Sequence, residues 1–217
     1  MDLILLLTKK VNKKLKNKLM KNNLLEERVM VLHNIISSTH DRYFSADINE
    51  GQKGLYETLL GAGIWYLPGN DALYSGRISE AALASLRNDP ANTKLVEEHS
   101  FPRKVGGKYL FELFKQDNEG FTEAYLVDLY KTKLGKYNLV LKTENDKLKK
   151  WQKFKNTGLS EHDFLETVTT IEDIAYSKAE IKMCDFPFEK YKEFKKYKSK
   201  LASKSKKIDK SILVYHV

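Results

Sequence analysis

The run Glu98-His99-Ser100-Phe101-Pro102-Arg103-Lys104 puts a carboxylate beside an imidazole, then a proline, then two cations. A carboxylate can hold a hard divalent cation, and a neutral imidazole can take a proton from water near neutral pH. Arginine and lysine can hold a phosphate. Together these groups suit metal-assisted cleavage of a phosphodiester. A further metal ligand has to come from elsewhere in the chain.

The elements around this run are readable from pattern. Residues 94–98 read as a short strand that delivers His99 at its end, and Pro102 forbids its continuation as a central strand. Residues 109–115 and 122–134 read as helices, the second closed by Gly135. Residues 137–142 alternate like a strand. They lead into a helix from Thr143 to about Phe154, with Asn145 in its first turn. If the two strands fold against each other, Asn145 approaches His99, and its side-chain oxygen is a good ligand for a hard metal.

An acid-His pair, a proline three residues beyond the His, and a strand entering a helix that starts with Asn together resemble the ββα-metal, or HNH, nuclease superfamily. The phrase Leu141-Lys142-Thr143-Glu144-Asn145-Asp146-Lys147-Leu148 resembles the helix entry of such domains in restriction enzymes. The resemblance covers about 60 of the 217 residues. It implies His99 as general base, Glu98 and Asn145 as ligands of Mg²⁺ (or Mn²⁺), and DNA as substrate. Arg103, Lys104, Lys149 and Lys150 are the candidate phosphate contacts. The chain departs from the family in having Glu in place of Asp at the first acid and a long helical insert between the strands.

The resemblance implies an α+β fold, mostly helical, with a small two-stranded ββα-metal motif carrying a helical insertion. Residues 1–90 form a helical N-terminal region for DNA contact or dimerisation, 91–156 the nuclease core, and 157–217 a basic helical C-terminal region. A stand-alone chain of this size resembles an HNH-class type II restriction endonuclease, which implies a homodimer acting on double-stranded DNA.

Composition agrees with an anionic partner. The formal net charge is +9 and the pI about 9.3. Seven lysines lie between Lys9 and Lys21 with no acid among them, and ten lysines face three acids from Glu189 to Lys210. Those ends carry +7 each, leaving −5 for the remainder. The single cysteine, Cys184, excludes an intrachain disulfide and a zinc site of four cysteines or of two cysteines and two histidines. A reducing, cytoplasmic setting is expected. The apolar start, Leu3 to Leu7, is too short to span a bilayer and lacks the preceding positive charge of a signal peptide.

The remaining pattern is helical. Residues 3–37 read as two helices broken at Asn22-Asn23, and 52–65 as a buried helix. Ser79 caps a helix running to Leu86. Ser160 and Asp163 resemble a capping box ahead of a helix ending near Ile174. Phe186-Pro187-Phe188 is a joint before a basic helix from Glu189 to Lys200, whose Tyr191, Phe194 and Tyr197 are expected to be core contacts.

Two other readings stay open. Glu180-Ile181-Lys182 fits half of a PD-(D/E)xK nuclease site, with Asp173 or Glu166 as the earlier acid. A non-catalytic nucleic-acid-binding protein needs only the basic ends and the helices. No nucleophile elbow, P-loop or dinucleotide fingerprint is present. Gly106-Gly107 is too short to be a phosphate cradle.

Overall fold

The computed structural model describes residues 24–68, 73–151, 154–160 and 162–213. The chain's first lysine-rich stretch lies outside them. The fold is α+β and mostly helical. Helix α1 spans residues 24–43, followed by α2 (Glu50–Tyr66), β1 (Tyr74–Ser79), α3 (Glu80–Asn88), β2 (Leu95–His99), α4 (Arg103–Gln116) and α5 (Glu123–Leu129). A π-helical turn, Tyr130–Leu134, leads to β3 (Tyr137–Leu141) and α6 (Lys142–Trp151). Then come α7 (Phe154–Thr157), α8 (Phe164–Thr167), a 3₁₀ turn, α9 (Ile171–Lys178), β4 (Met183–Asp185) and α10 (Phe188–Leu213).

The sheet has four strands in the order β2-β3-β1-β4, not the expected two. Strands β2 and β3 pair antiparallel in unbroken register, from Leu95 opposite Leu141 to His99 opposite Tyr137. The helical insert therefore closes a long hairpin, and α6 leaves directly from β3. Strand β1 runs parallel to β3, and β4 antiparallel to β1 at the edge. Between Tyr74 and Ile78 the β1 register shifts around Gly76, whose φ of +86° is one that glycine adopts without strain.

Local chemistry explains the starts of several helices. Asn49 and Gln52 form a reciprocal capping box on α2, with bonds of 2.9 and 3.0 Å. The Ser79 hydroxyl accepts from the Ala82 amide at 3.0 Å and opens α3, and Thr122 does the same for α5. The expected Ser160–Asp163 box does not form. Asp163 is the residue at the start of α8, without a side-chain cap, and the Ser160 hydroxyl accepts from His162 instead.

Strand alternation sorts the core. On one face, Tyr74, Ile78, Leu139 and Tyr137 join Val29, Leu60, Ile64, Leu110, Phe111 and Tyr191 in the main hydrophobic cluster. This cluster takes residues from all three sequence regions. Helices α2 and α4 cross beneath it at very short range. A Cβ on Gly107 would lie 2.2 Å from the Glu57 carbonyl oxygen, and one on Gly61 would lie 2.7 Å from that of Arg103. The Gly106-Gly107 pair is thus part of a helix-crossing device. As expected, Tyr191 is buried in the core and Phe194 packs against it, but Tyr197 is exposed. On the other face of the sheet a smaller cluster joins Val140 to Leu148 of α6 and Ala175 and Tyr176 of α9.

Candidate functional site

His99 is the last residue of β2, and Pro102 ends the bend that follows and opens α4. The imidazole lies on the α2 side of the sheet, with its ring centroid 4.8 Å from that of Trp65. The Arg103 guanidinium stacks on the same indole, 3.8 Å from its centroid. Burial, then the charge of Arg103, lower the His99 pKa from its ordinary value. A hydrogen bond to the Leu134 backbone carbonyl and the charge of Glu97 oppose them only in part. The balance favours the neutral ring. Its Nδ1 is buried with no hydrogen-bond partner among the described residues.

Arg103 and Lys104 form the first turn of α4, where the backbone N–H groups of Arg103, Lys104 and Val105 lack intrahelical acceptors, the N-cap Pro102 having no N–H. Cations there oppose the helix dipole and concentrate positive potential beside His99. Lys104 is largely exposed and lies 4.0 Å from Glu57 of α2.

Glu98 sits on the opposite face. Consecutive strand residues point to opposite sides of a sheet, and Glu98 is buried facing α6 and α9. Its charge acts on Tyr176 and on Lys149. The adjacency that makes Glu98-His99 look like one site in sequence therefore separates the two groups in space. Asn145 does not meet His99 either. Helix α6 starts beyond Leu141, which pairs with Leu95, so its origin is a strand length, about 13 Å, from His99. The α6 residue whose charge Glu98 meets is Lys149, a turn beyond Asn145.

These positions do not converge on a shared Mg²⁺ or Mn²⁺ site with His99. Among the described residues no group of three or more His, Cys, Asp or Glu side chains is placed to hold a metal. The α6 cations have local partners: Lys149 lies 2.6 Å from Asp146, and the Lys150 ammonium 4.6 Å from the Trp151 ring centroid.

The second nuclease layout falls at the turn that leads into β4. Glu180 lies in the turn between α9 and β4, with a φ of +57°, and is exposed. Lys182 is exposed as well, and its carbonyl accepts from the Glu80 amide. Glu166 and Asp173 belong to the segment before that turn, Glu166 in α8 and Asp173 in the first turn of α9.

A second constellation was not anticipated from the sequence. Asn138, opposite Glu98 in the β2–β3 register, is fully buried. Its Oδ1 accepts from the Ser75 hydroxyl, while its Nδ2 donates to Glu172 at 2.7 Å and to the Tyr176 hydroxyl at 3.0 Å. Arg77 lies 3.8 Å from Glu172. Burial raises the Glu172 pKa, and the bond from Asn138 and the charge of Arg77 counter it. This network forms one wall of a cavity of about 340 Å³ that Ser100, Thr132, Lys133 and Lys136 also line. The signal that could have revealed it is the alternation Ser75-x-Arg77-x-Ser79, together with lysines at 133 and 136 just ahead of β3.

Helix α6 has a further buried anchor. Glu144 Oε2 accepts from the Leu141 amide at 2.8 Å and from the Ser79 hydroxyl at 2.5 Å. The carboxylate thus fixes the strand-to-helix corner to β1.

No helix among the described residues is long and apolar enough to cross a membrane. Comparison with known proteins gives no family model, no curated protein and no solved structure that matches the chain.

Proposed function

We propose that the chain binds nucleic acid and hydrolyses its phosphodiester bonds, with His99 as general base. One observation carries this reading: the His99 imidazole, at the end of β2, shares the Trp65 ring with Arg103 of the first turn of α4, where Lys104 also lies. A phosphate drawn to that helix end meets free backbone N–H groups and two cations. A base for an attacking water then lies within the same turn of chain. The antiparallel β2–β3 pair running directly into α6 is the ββα order that the sequence resemblance implied.

In this scheme His99 takes a proton from water through its unpartnered Nδ1. The Leu134 carbonyl holds the other side of the ring. Nδ1 is shielded, so substrate binding has to displace a covering group. Trp65, 45% exposed, is a neighbouring ring, its centroid 4.8 Å from that of His99. Arg103 and Lys104 hold the scissile phosphate. A divalent cation supplies leaving-group stabilisation in chemistry of this class. Glu98 and Asn145 lie across the sheet or a turn away, so they do not hold such an ion beside the imidazole.

The substrate we favour is double-stranded DNA, on the net charge of +9. Cytoplasmic location and a homodimer belong to the same proposal. Exposed Val31 and Ile35 on α1 and Leu55 and Leu59 on α2 support the dimer.

The test is incubation of purified protein with supercoiled plasmid, with Mg²⁺ and with chelator. Nicking or linearisation that His99→Ala reduces at least about a hundredfold supports the proposal. A second reading, binding without cleavage, is favoured by the shielding of Nδ1 and the separation of Glu98 from His99. Retarded DNA with no product under any condition selects it.

A further inference from the structure

Neither His99 nor Arg103 lines the cavity between the sheet and α9, although Ser100 and Phe101, the two residues after His99, form part of its wall. Its cations come from three places: Arg77 from β1, Lys133 from the π-helical turn, and Lys136 from the residue before β3. The single lining carboxylate is Glu172, so the lining residues carry a formal charge of +2, three cations against one acid.

The neutral groups do not offer spare donors. Ser75 donates to Asn138, Ser100 to the Lys136 carbonyl at 3.2 Å, Thr132 to the Asp128 carbonyl at 2.8 Å, and Thr169 to the Glu166 carbonyl at 2.6 Å. Asn138 spends both donors on Glu172 and Tyr176. The donors that can serve a ligand beside their present contacts are the multiple N–H groups of the cations, of which Arg77 lies 3.8 Å from Glu172. Lys133 is half-buried beside the rings of Phe101 and Tyr109, and its ammonium donates to the neutral Tyr109 hydroxyl at 3.2 Å. Burial lowers its pKa, and an anion in the cavity would oppose that shift.

We propose that this cavity is a binding site for a phosphate group, carried free or at the end of a nucleotide chain. A phosphate near pH 7 brings about −1.5 to −2 of charge and only acceptor oxygens, which matches a lining of charge +2 with cationic donors. The volume of about 340 Å³ is at the small end of ligand pockets, enough for a phosphate and an attached small group against Phe101. Lys133 lies within the π-helical turn, and such turns recur at functional sites. The site does not depend on His99 being catalytic.

The experiment is a titration of the full chain followed by backbone amide shifts. The probes are inorganic phosphate, a short oligonucleotide bearing a 5′-phosphate, and the same oligonucleotide with a 5′-hydroxyl. The expected result is saturable shifts centred on Ser75, Ser100, Lys136 and Asn138. Lys133→Gln and Arg77→Gln should each weaken binding roughly tenfold. Tighter binding of the phosphorylated oligonucleotide than of both other probes assigns the phosphate to nucleic acid. Equal binding of inorganic phosphate and the phosphorylated chain assigns it to the free group. Absence of saturable shifts at those amides in the wild-type protein overturns the site, whatever the variants do. So does unchanged affinity in both variants. His99→Ala should leave the titration unaltered, so loss of cleavage and loss of phosphate binding are separable.

Discussion

On one face of the sheet, Tyr74, Ile78, Tyr137 and Leu139 disappear into a continuous apolar core, with His99 at its rim. On the other, the same strands present Ser75, Arg77, Asn138 and Glu98 to α6 and α9, beside a smaller apolar cluster. The first face is held by area removed from water, which tolerates changes of shape at a cost set by the cavity left behind. The second is held by a polar network that is sound only if every member keeps its partner. A chemical site needs fixed polar groups near solvent, and the second face provides them around a cavity. The first provides one imidazole and a helix end.

The largest effect is expected on the apolar face. Leu139→Ala, at a site with no exposure, should cost about 3 kcal/mol in denaturant-induced unfolding. Asn138→Ala on the neighbouring strand position should cost about 2 kcal/mol, because Ser75, Glu172 and Tyr176 each lose a partner. A loss under roughly 0.5 kcal/mol would show that the polar face contributes no order of its own. Ser79→Ala removes the α3 cap and the bond to Glu144, and about 1 kcal/mol is expected in the same measurement.

The smallest effect is a pH dependence at the rim. The folded pKa of His99 lies below its ordinary value of 6.5, so below that value the unfolded chain binds more protons than the folded one. Stability from this group is therefore full above 6.5 and falls as pH drops through the folded pKa. Urea midpoints from about pH 8 to pH 5 should fall less in His99→Gln than in the wild type. A steeper fall in the variant would reverse the sign and place a charged imidazole in the folded state.

The contrast between the faces also explains what could be read from sequence. Strands β2 and β3, the Ser79 cap, and helices α2 and α6 were legible because their periodicity or capping chemistry is local. Strand β1 was not. Its alternation is broken by the bulge at Gly76, and it follows the Pro68-Gly69-Asn70-Asp71 turn residues closely. Strand β4 is three residues long and exists only by pairing with β1. With β1 not legible, the cavity wall that carries Ser75 and Arg77 was not legible either. Glu98 and His99 were misjoined for a simpler reason. Adjacency along a strand gives opposite faces, because side chains alternate with a period of two. Asn145 was placed by order along the chain, whereas antiparallel register puts the α6 origin at the far end of β2 from His99.

The most direct test compares plasmid cleavage by His99→Ala and Glu98→Gln, each verified as folded by circular dichroism. The account predicts that His99→Ala loses cleavage while Glu98→Gln retains it, because the two side chains lie on opposite faces of β2. Retained cleavage in His99→Ala with loss in Glu98→Gln would contradict it and move the chemistry to the α6 side of the sheet.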